Sequence, residues 1–324
     1  MNSPKHSLLP HVLLALVAPA LAQVTPSAPA EPAPRLAQDS APPKPKKETR
    51  DETHQRRMLE EKGAFETRLA AIDAELLLHD REHPFKEDWA NAYAGEYSGG
   101  DGLGMNLSLK LAPESGVAFR WTSCLGIVDE NHAKISKADE SGLWLKPAID
   151  PKLIWRSHID DRMYFVNWRS RRFLVSRSLM IDFCNKCNRG WSDSDLARWF
   201  PSAPRTGDID PAEPPQVPGE YSQFLRASPL QAEAIAVRDL ATRDWEPGEI
   251  TLVTTCVVEL NIGNSEGVYK DLMFYSIAGQ TNAEITITEV REHTSLGALR
   301  LYSRKGERPP QPEKGWRFKS ADLE

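Results

Sequence analysis

Residues 105–121 read Met-Asn-Leu-Ser-Leu-Lys-Leu-Ala-Pro-Glu-Ser-Gly-Val-Ala-Phe-Arg-Trp. Leu107, Leu109 and Leu111 alternate with other residues, Pro113-Glu114-Ser115-Gly116 interrupts, and Val117, Phe119 and Trp121 alternate again. Side chains of an extended chain point to opposite faces at a period of two, so each run presents one apolar face. A Pro, Ser and Gly break between two such runs marks a chain reversal. The segment therefore reads as an antiparallel hairpin. Tyr164, Val166 and Trp168 repeat the pattern, and Gly99-Gly100-Asp101-Gly102 and Asp139-Glu140-Ser141-Gly142 supply further turns. Short alternating strands with turns between them indicate an antiparallel β-barrel or sandwich, expected over residues 84–200.

Outward from that block, 201–219 is Pro-rich and reads as a linker or a long covering loop. Beyond it, Leu252, Thr254, Cys256, Val258 and Leu260 share one strand face, Ile285 and Ile287 share another, and Gly263-Asn264-Ser265-Glu266-Gly267 makes a turn. Residues 220–324 are accordingly expected to form a small β-barrel. Upstream, Phe65, Leu69, Ile72 and Leu76 recur at helical spacing and predict a helix over 51–83. Two heptads favour a helix packed on its own domain over an intermolecular coiled coil. The fold class is therefore mainly β, with an N-terminal helix.

The first 50 residues are different in kind. Lys5 and His6 precede an apolar run from Leu8 to Ala20, which closes on Ala20-Leu21-Ala22. That order is the pattern of a signal peptide (1–22) cleaved after Ala22, and it predicts a periplasmic or secreted product. Residues 23–50 are rich in Ala, Pro and Lys and cannot bury enough apolar surface to offset their ordering entropy, so they read as a disordered tether. No later apolar run reaches the length of a transmembrane segment. Removing residues 1–22 deletes one Lys and no acid, which takes the net charge from −6 to −7. A mildly acidic exported chain is a poor nucleic-acid partner.

The block Trp89-Ala-Asn-Ala-Tyr93-Ala-Gly95-Glu-Tyr97-Ser-Gly-Gly-Asp101-Gly-Leu-Gly104-Met-Asn106, with Trp121-Thr-Ser-Cys124-Leu-Gly126 and Phe183-Cys184-Asn185, resembles a group of secreted bacterial β-domain proteins that have no assigned activity. That resemblance spans about residues 89–190 and implies a β-barrel or sandwich. The opening Trp and Gly-x-Tyr are also similar to the first strand of lipocalin-like barrels, over fewer than ten residues. Val258-Glu-Leu-Asn-Ile-Gly263 through Gly267-Val268 resembles the small C-terminal barrel of flagellar assembly protein T, where a further Gly usually follows; here Lys270-Asp271-Leu272-Met273 stands instead.

Few residues carry recognisable chemistry. Cys184-Asn-Lys-Cys187 has redox-dithiol spacing, but it falls in the last turn of a short helix expected to begin at a Ser178 cap and end at Gly190. The negative end of a helix disfavours a thiolate. A structural disulfide from Cys124 to Cys184 or Cys187 is the expectation instead, closing a loop of about 60 residues worth roughly 3–4 kcal/mol, with Cys256 a buried thiol unless it bridges to the first domain. His79-Asp-Arg-Glu82-His83 spells an inverted zinc-peptidase motif, yet Pro84 pushes His83 out of the helix and spoils the shared-metal geometry. Gly100-Asp-Gly102-Leu-Gly104 leads into a strand, not into the helix a phosphate loop needs. Asp101, Asp193 and Asp195 lack the companion oxygens of a calcium loop.

Arg169, Arg171 and Arg172, with Arg156, Arg162 and Arg177 nearby and Trp155, Tyr164, Trp168 and Phe173 interleaved, form the one basic concentration. Guanidinium groups beside aromatic faces suit an anionic glycan of the cell envelope or an envelope protein partner. Arg169, Arg171, Arg172 and Trp168 are therefore the candidate binding residues. No catalytic residue, metal or cofactor is called, and the balance leans away from an enzyme. The leading expectation is an exported, noncatalytic binding or scaffolding module of the envelope. The alternatives are a hydrolase or thiol enzyme assembled in three dimensions, with His132 or His158 beside a carboxylate, and a lipocalin-like carrier of a small apolar ligand behind Trp89 and Tyr97.

Overall fold

The computed structural model describes residues 48–81, 93–100, 104–153, 157–205, 210, 212–244, 251–277, 283–307 and 311–321. The expected signal peptide, nearly all of the tether, Glu82, His83, Trp89, Asp101, Trp155 and Arg156 lie outside these residues.

Eight strands form a closed antiparallel barrel: β1 (Gly95–Gly100), β2 (Met105–Ala112), β3 (Gly116–Ser123), β4 (Gly126–Asp139), β5 (Gly142–Pro147), β6 (Arg162–Trp168), β7 (Arg171–Ser176) and β8 (Ser202–Pro204). The 105–121 hairpin is present in the expected register, with Leu109 opposite Phe119 and Leu111 opposite Val117. Every strand sends side chains inward. Tyr97, Leu107, Leu109, Leu111, Phe119, Leu145, Met163, Phe165 and Leu174 are all buried together, so a packed core occupies the barrel.

The Pro-rich stretch 201–219 begins with a strand instead of a connection. Ser202 pairs with both Ser98 of β1 and Phe173 of β7, so β8 is the staple that closes the barrel. A three-residue strand is too short to show a period, and Pro204 is tolerated because it ends the strand. Without β8 the edges of β1 and β7 would expose unpaired backbone. Further along the same stretch, Gln216 bridges to Asn167, and Glu220 accepts a hydrogen bond from the Tyr164 hydroxyl at 2.5 Å.

Alternation in β6 also acts differently from a single buried face. Met163 and Phe165 point inward, while Tyr164, Val166 and Trp168 point outward into a second core with Phe173, Val175, Phe183 and Phe200. That outer core is roofed by α2 (Met180–Asn188) and α3 (Asp193–Leu196). On the other side, α1 (Arg50–Arg81) lays Phe65, Leu69, Ile72 and Leu76 on Ala112 and Ala118, small residues that let the helix approach β2 and β3. Lys110 to Asp73 (2.7 Å), Arg120 to Glu66 (2.7 Å) and His54 to Asp129 (3.2 Å) flank this seam.

The second barrel runs in the ring order β9 (Gln231–Asp244), β10 (Thr251–Leu260), β13 (Ser295–Arg304), β12 (Glu284–Val290), β11 (Met273–Ser276) and β14 (Arg317–Lys319). Thr254, Cys256, Val258 and Leu260 are buried, as are Ile285 and Ile287, whereas Leu252, expected on the first of these faces, is half-buried and its neighbour Val253 is buried. Gly297 permits a close approach of β12 to β13. A Cβ there would stand 2.2 Å from Ile285 Cγ2.

Candidate functional site

The two barrels meet through α2. Asn185, 3% exposed, donates through Nδ2 to the Asp271 carbonyl at 2.9 Å and accepts from the Met273 amide at 3.3 Å. One turn on, Asn188 donates to the Phe224 carbonyl and accepts from the Arg226 amide, both at 2.8 Å. Arg189 then lies 4.2 Å over the Tyr275 ring and 3.7 Å from Glu284.

The helix stops at Gly190, whose φ of 91° a residue with a Cβ adopts only at a cost. Its amide bonds to the Cys187 carbonyl at 3.0 Å, and the Trp191 amide bonds to Lys186 at 3.1 Å. This reversal folds Trp191 back beside the helix, and Ser192 starts α3 with a reciprocal cap to Asp195. Trp199 follows α3, and its ring lies 6.3 Å from that of Trp191 at 45°. Lys186 Nζ sits 4.4 Å and 5.5 Å from the two rings, a contact that fixes their orientation.

These residues wall a cleft of about 990 Å³ whose far side, Pro229, Lys319 and Ala321, belongs to the second barrel and its lead-in. Its lining carries the cations Arg189, Arg198 and Lys319 and the carboxylate of Asp195. Arg189 is a strut between the barrels, whereas Lys319 forms no salt bridge among the described residues and Arg198 forms none within 4 Å, its charge acting on the nearby Asp195 carboxylate. The Ser192 hydroxyl (2.6 Å) and amide (3.2 Å) hold the Asp195 carboxyl below the usual carboxylate range, so it is ionised at neutral pH. A smaller cavity of about 420 Å³ lies on the other side of α3, lined by Ser98, Gly99, Asn106, Arg171 and Ala197. Arg198 lines both.

No family model, curated protein or solved structure matches the chain.

The basic concentration expected from the sequence is dispersed by the pleat. Arg171 points outward, its Nη1 donating to Ser202 Oγ at 3.2 Å, while Arg172 turns to the interior with its guanidinium 5.7 Å from the Tyr97 ring. Arg169 occupies the β6–β7 turn with φ 48° and rests 4.9 Å over Trp168. Trp168 is 5% exposed and donates to the Glu213 carbonyl, a core role. Arg162 lies 3.6 Å over Trp144, and Arg177 pairs with Asp161. Of the four binding candidates, only Arg171 lines a described cavity.

The expected disulfide is also corrected, because all four cysteines are free thiols. Cys124 is exposed in the β3–β4 turn, whereas Cys184 is fully buried on α2 in a different region of the barrel. Burial pushes the Cys184 thiol up to about 12 and the Cys256 thiol up to about 11. Cys187 is raised well above the usual thiol range by burial first and the neighbouring Cys184 second. Thiol catalysis needs the opposite shift. The Ser178 cap is absent: a 3-10 turn, Arg177–Leu179, leads into α2, and the Ser178 amide bonds to Asp160.

Asp193 accepts from the Ser170 amide and hydroxyl, and with Asp195 occupied by Ser192 both carboxylates have structural partners. Among the described residues no group of three or more His, Cys, Asp and Glu side chains is placed to share a metal ion. His132 faces Glu61 of α1 at 3.5 Å, and His158 is stacked on Phe119 at 5.1 Å. Neither lines the described cavities. No described helix is long and apolar enough to cross a membrane.

Proposed function

We propose that the chain is an exported, noncatalytic binding module of the cell envelope and that its binding site is the cleft between the two barrels. One observation carries this reading: a concave site of about 990 Å³ walled by two indole rings held at a fixed angle, with Arg198 and Lys319, which form no salt bridge within 4 Å among the described residues, in its lining. Concavity, aromatic walls and a few convergent polar groups are what small-ligand sites share. The leader-like residues 1–22 and the Pro- and Lys-rich stretch after them support a module delivered outside the cytoplasm on a tether.

The alternatives find less support. A carrier of an apolar ligand needs an open barrel, and the first barrel is filled by its own side chains. Glycoside hydrolysis uses two carboxyl groups about 5–9.5 Å apart, and the described lining of the cleft supplies one, Asp195. A thiol enzyme needs a low-pKa cysteine, and the three cysteines outside the β3–β4 turn are shifted upward.

The test is cosedimentation of the mature chain with purified sacculi and with envelope extracts, alongside a Trp191→Ala/Trp199→Ala double variant. Retention of the parent and loss in the double variant are expected. Failure of the parent to be retained by any fraction overturns the proposal, as does retention that ignores both substitutions.

A further inference from the structure

We infer that α1 pairs with α1 of a second copy of this chain, antiparallel and about a twofold axis, through the helix face turned away from the first barrel. Phe65, Leu69, Ile72 and Leu76 seat one face of α1 on β2 and β3. A helix packed on a domain in this way ordinarily carries polar and charged residues on its other face. Here the other face holds Leu59 and Leu78, 75% and 58% exposed, with Gly63, Thr67, Ala70 and Ala74 exposed between them. Leu77, 52% exposed, lies beside the row. The single side-chain donor of the row is already used, because the Thr67 hydroxyl donates to the Gly63 carbonyl at 2.8 Å. The helix thus has two apolar faces, and the barrel covers one.

Two observations identify the occupant of the second face. First, Gly63 stands in mid-helix, where glycine is less stable than alanine. A Cβ built on it would meet nothing within 4 Å among the described residues, so no contact inside the chain requires a glycine there. Close approach of another helix does. Second, the row 59, 63, 67, 70, 74 and 78 advances by 4, 4, 3, 4 and 4 residues and reads the same from either end, with a leucine at each end and small residues between. A twofold axis crossing α1 between Arg68 and Leu69 therefore sets Leu59 against the partner's Leu78, Gly63 against the partner's Ala74 and Thr67 against the partner's Ala70. An isologous interface needs this reciprocity, in which one residue meets a second and the second meets the first. Antiparallel pairing also sets the two helix dipoles in opposition. A helix lying on a membrane instead centres bulky side chains in a broad apolar face, where this one has glycine and alanine. From Leu59 to Leu78 the row rises about 28 Å. One helix pair of that length is a small contact beside the roughly 800 Å² per partner of a standard interface, so the dimer is weak, dissociating on the order of 10 µM.

The experiment is sedimentation velocity of the mature chain from about 1 to about 300 µM, in a Cys124→Ser background that removes the exposed thiol. Passage from monomer to dimer is expected. Leu59→Glu and Leu78→Glu should each weaken pairing about tenfold or more, while the circular dichroism and melting temperature of dilute protein stay as in the parent, since both side chains are exposed. Gly63→Gln should act with opposite signs. Dilute protein should melt higher, because glutamine is the better helix former, while pairing weakens about tenfold or more because the new side chain occupies the contact. A short bis-maleimide should join Leu59→Cys to Leu78→Cys when the two single variants are mixed, and should join neither to itself. A chain that stays monomeric over the whole range overturns the proposal, as does a dimer that ignores the leucine substitutions or Gly63→Gln. Crosslinking of Leu59→Cys to itself overturns the antiparallel arrangement. Binding of the monomer to phosphatidylglycerol vesicles, lost in Leu59→Glu, gives the face to a membrane and overturns the second copy.

Discussion

Asn185→Ala is the substitution that most directly tests how the two barrels are joined. The side chain is 3% exposed and bonds to the Asp271 carbonyl at 2.9 Å and the Met273 amide at 3.3 Å. Each such bond contributes about 0.5–1.5 kcal/mol net, and a buried group left without a partner costs about 1–3 kcal/mol. The expected loss is therefore about 2–4 kcal/mol, against a total stability of about 5–15 kcal/mol for a folded protein. Asp271 has φ 68°, a left-handed conformation that costs a non-glycine residue about 1–2 kcal/mol, so Asn185 also holds a strained residue in place. Urea unfolding followed by both circular dichroism and tryptophan fluorescence is the assay. The midpoint should fall, and the transition should separate into two as the barrels lose their shared helix contact. Asn185→Asp is the companion. It keeps an acceptor for Met273 but sets a carboxylate against the Asp271 carbonyl in a buried site, which raises its folded pKa. The folded state then holds its proton to higher pH than the unfolded one, so stability is retained at low pH and lost as pH rises through the folded pKa. A change in stability below about 0.5 kcal/mol for Asn185→Ala, with a single coincident transition, would refute the assignment of the interface to this residue.

Further expectations concern the seams and the cores. Phe65 is 2% exposed between α1 and the first barrel, and Phe65→Ala should cost about 3–5 kcal/mol by denaturant unfolding; a loss under about 1 kcal/mol would mean that α1 is not docked there. Gly297→Ala puts a Cβ 2.2 Å from Ile285 Cγ2 and should destabilise by about 1–3 kcal/mol, read as a lower melting temperature; an unchanged melting temperature would mean that the strands do not pack this closely. Alkylation of the native protein should label the exposed Cys124 first, with the high-pKa Cys184, Cys187 and Cys256 reacting only on denaturation; an intact mass lower by one disulfide would contradict four free thiols. Burial, partly opposed by Glu61, lowers the His132 pKa from 6.5. The unfolded state binds that proton first, so stability is full above 6.5 and declines as pH falls through the lowered folded value. His132→Asn should flatten this decline.

Much of the architecture was legible because it depends on local period. Leu107, Leu109 and Leu111 could bury themselves only in a strand, and Phe65, Leu69, Ile72 and Leu76 only on a helix. The site was less legible. Cys184 and Cys187 drew the chemical reading, yet it is their neighbours Asn185 and Asn188 that join the barrels, and nothing in an Asn's spacing reveals which backbone groups it will meet. Arg171 and Arg172 are adjacent in sequence and read as one cluster. The pleat sends them to opposite faces, a consequence of the same alternation that had identified the strand.

By itself, then, the sequence determined the elements: the mainly β character, the N-terminal helix, the Gly190 stop and the two sets of strands. These follow from side-chain periodicity and backbone preference over a few residues. Tertiary structure alone decided the closure of the first barrel by Ser202–Pro204, the separation of Cys124 from Cys184, and the cleft in which Trp191, Trp199 and Arg198 face Lys319. Arg198 and Lys319 are over a hundred residues apart, and only the docking of one folded barrel on the other through α2 brings their charges to the same cleft.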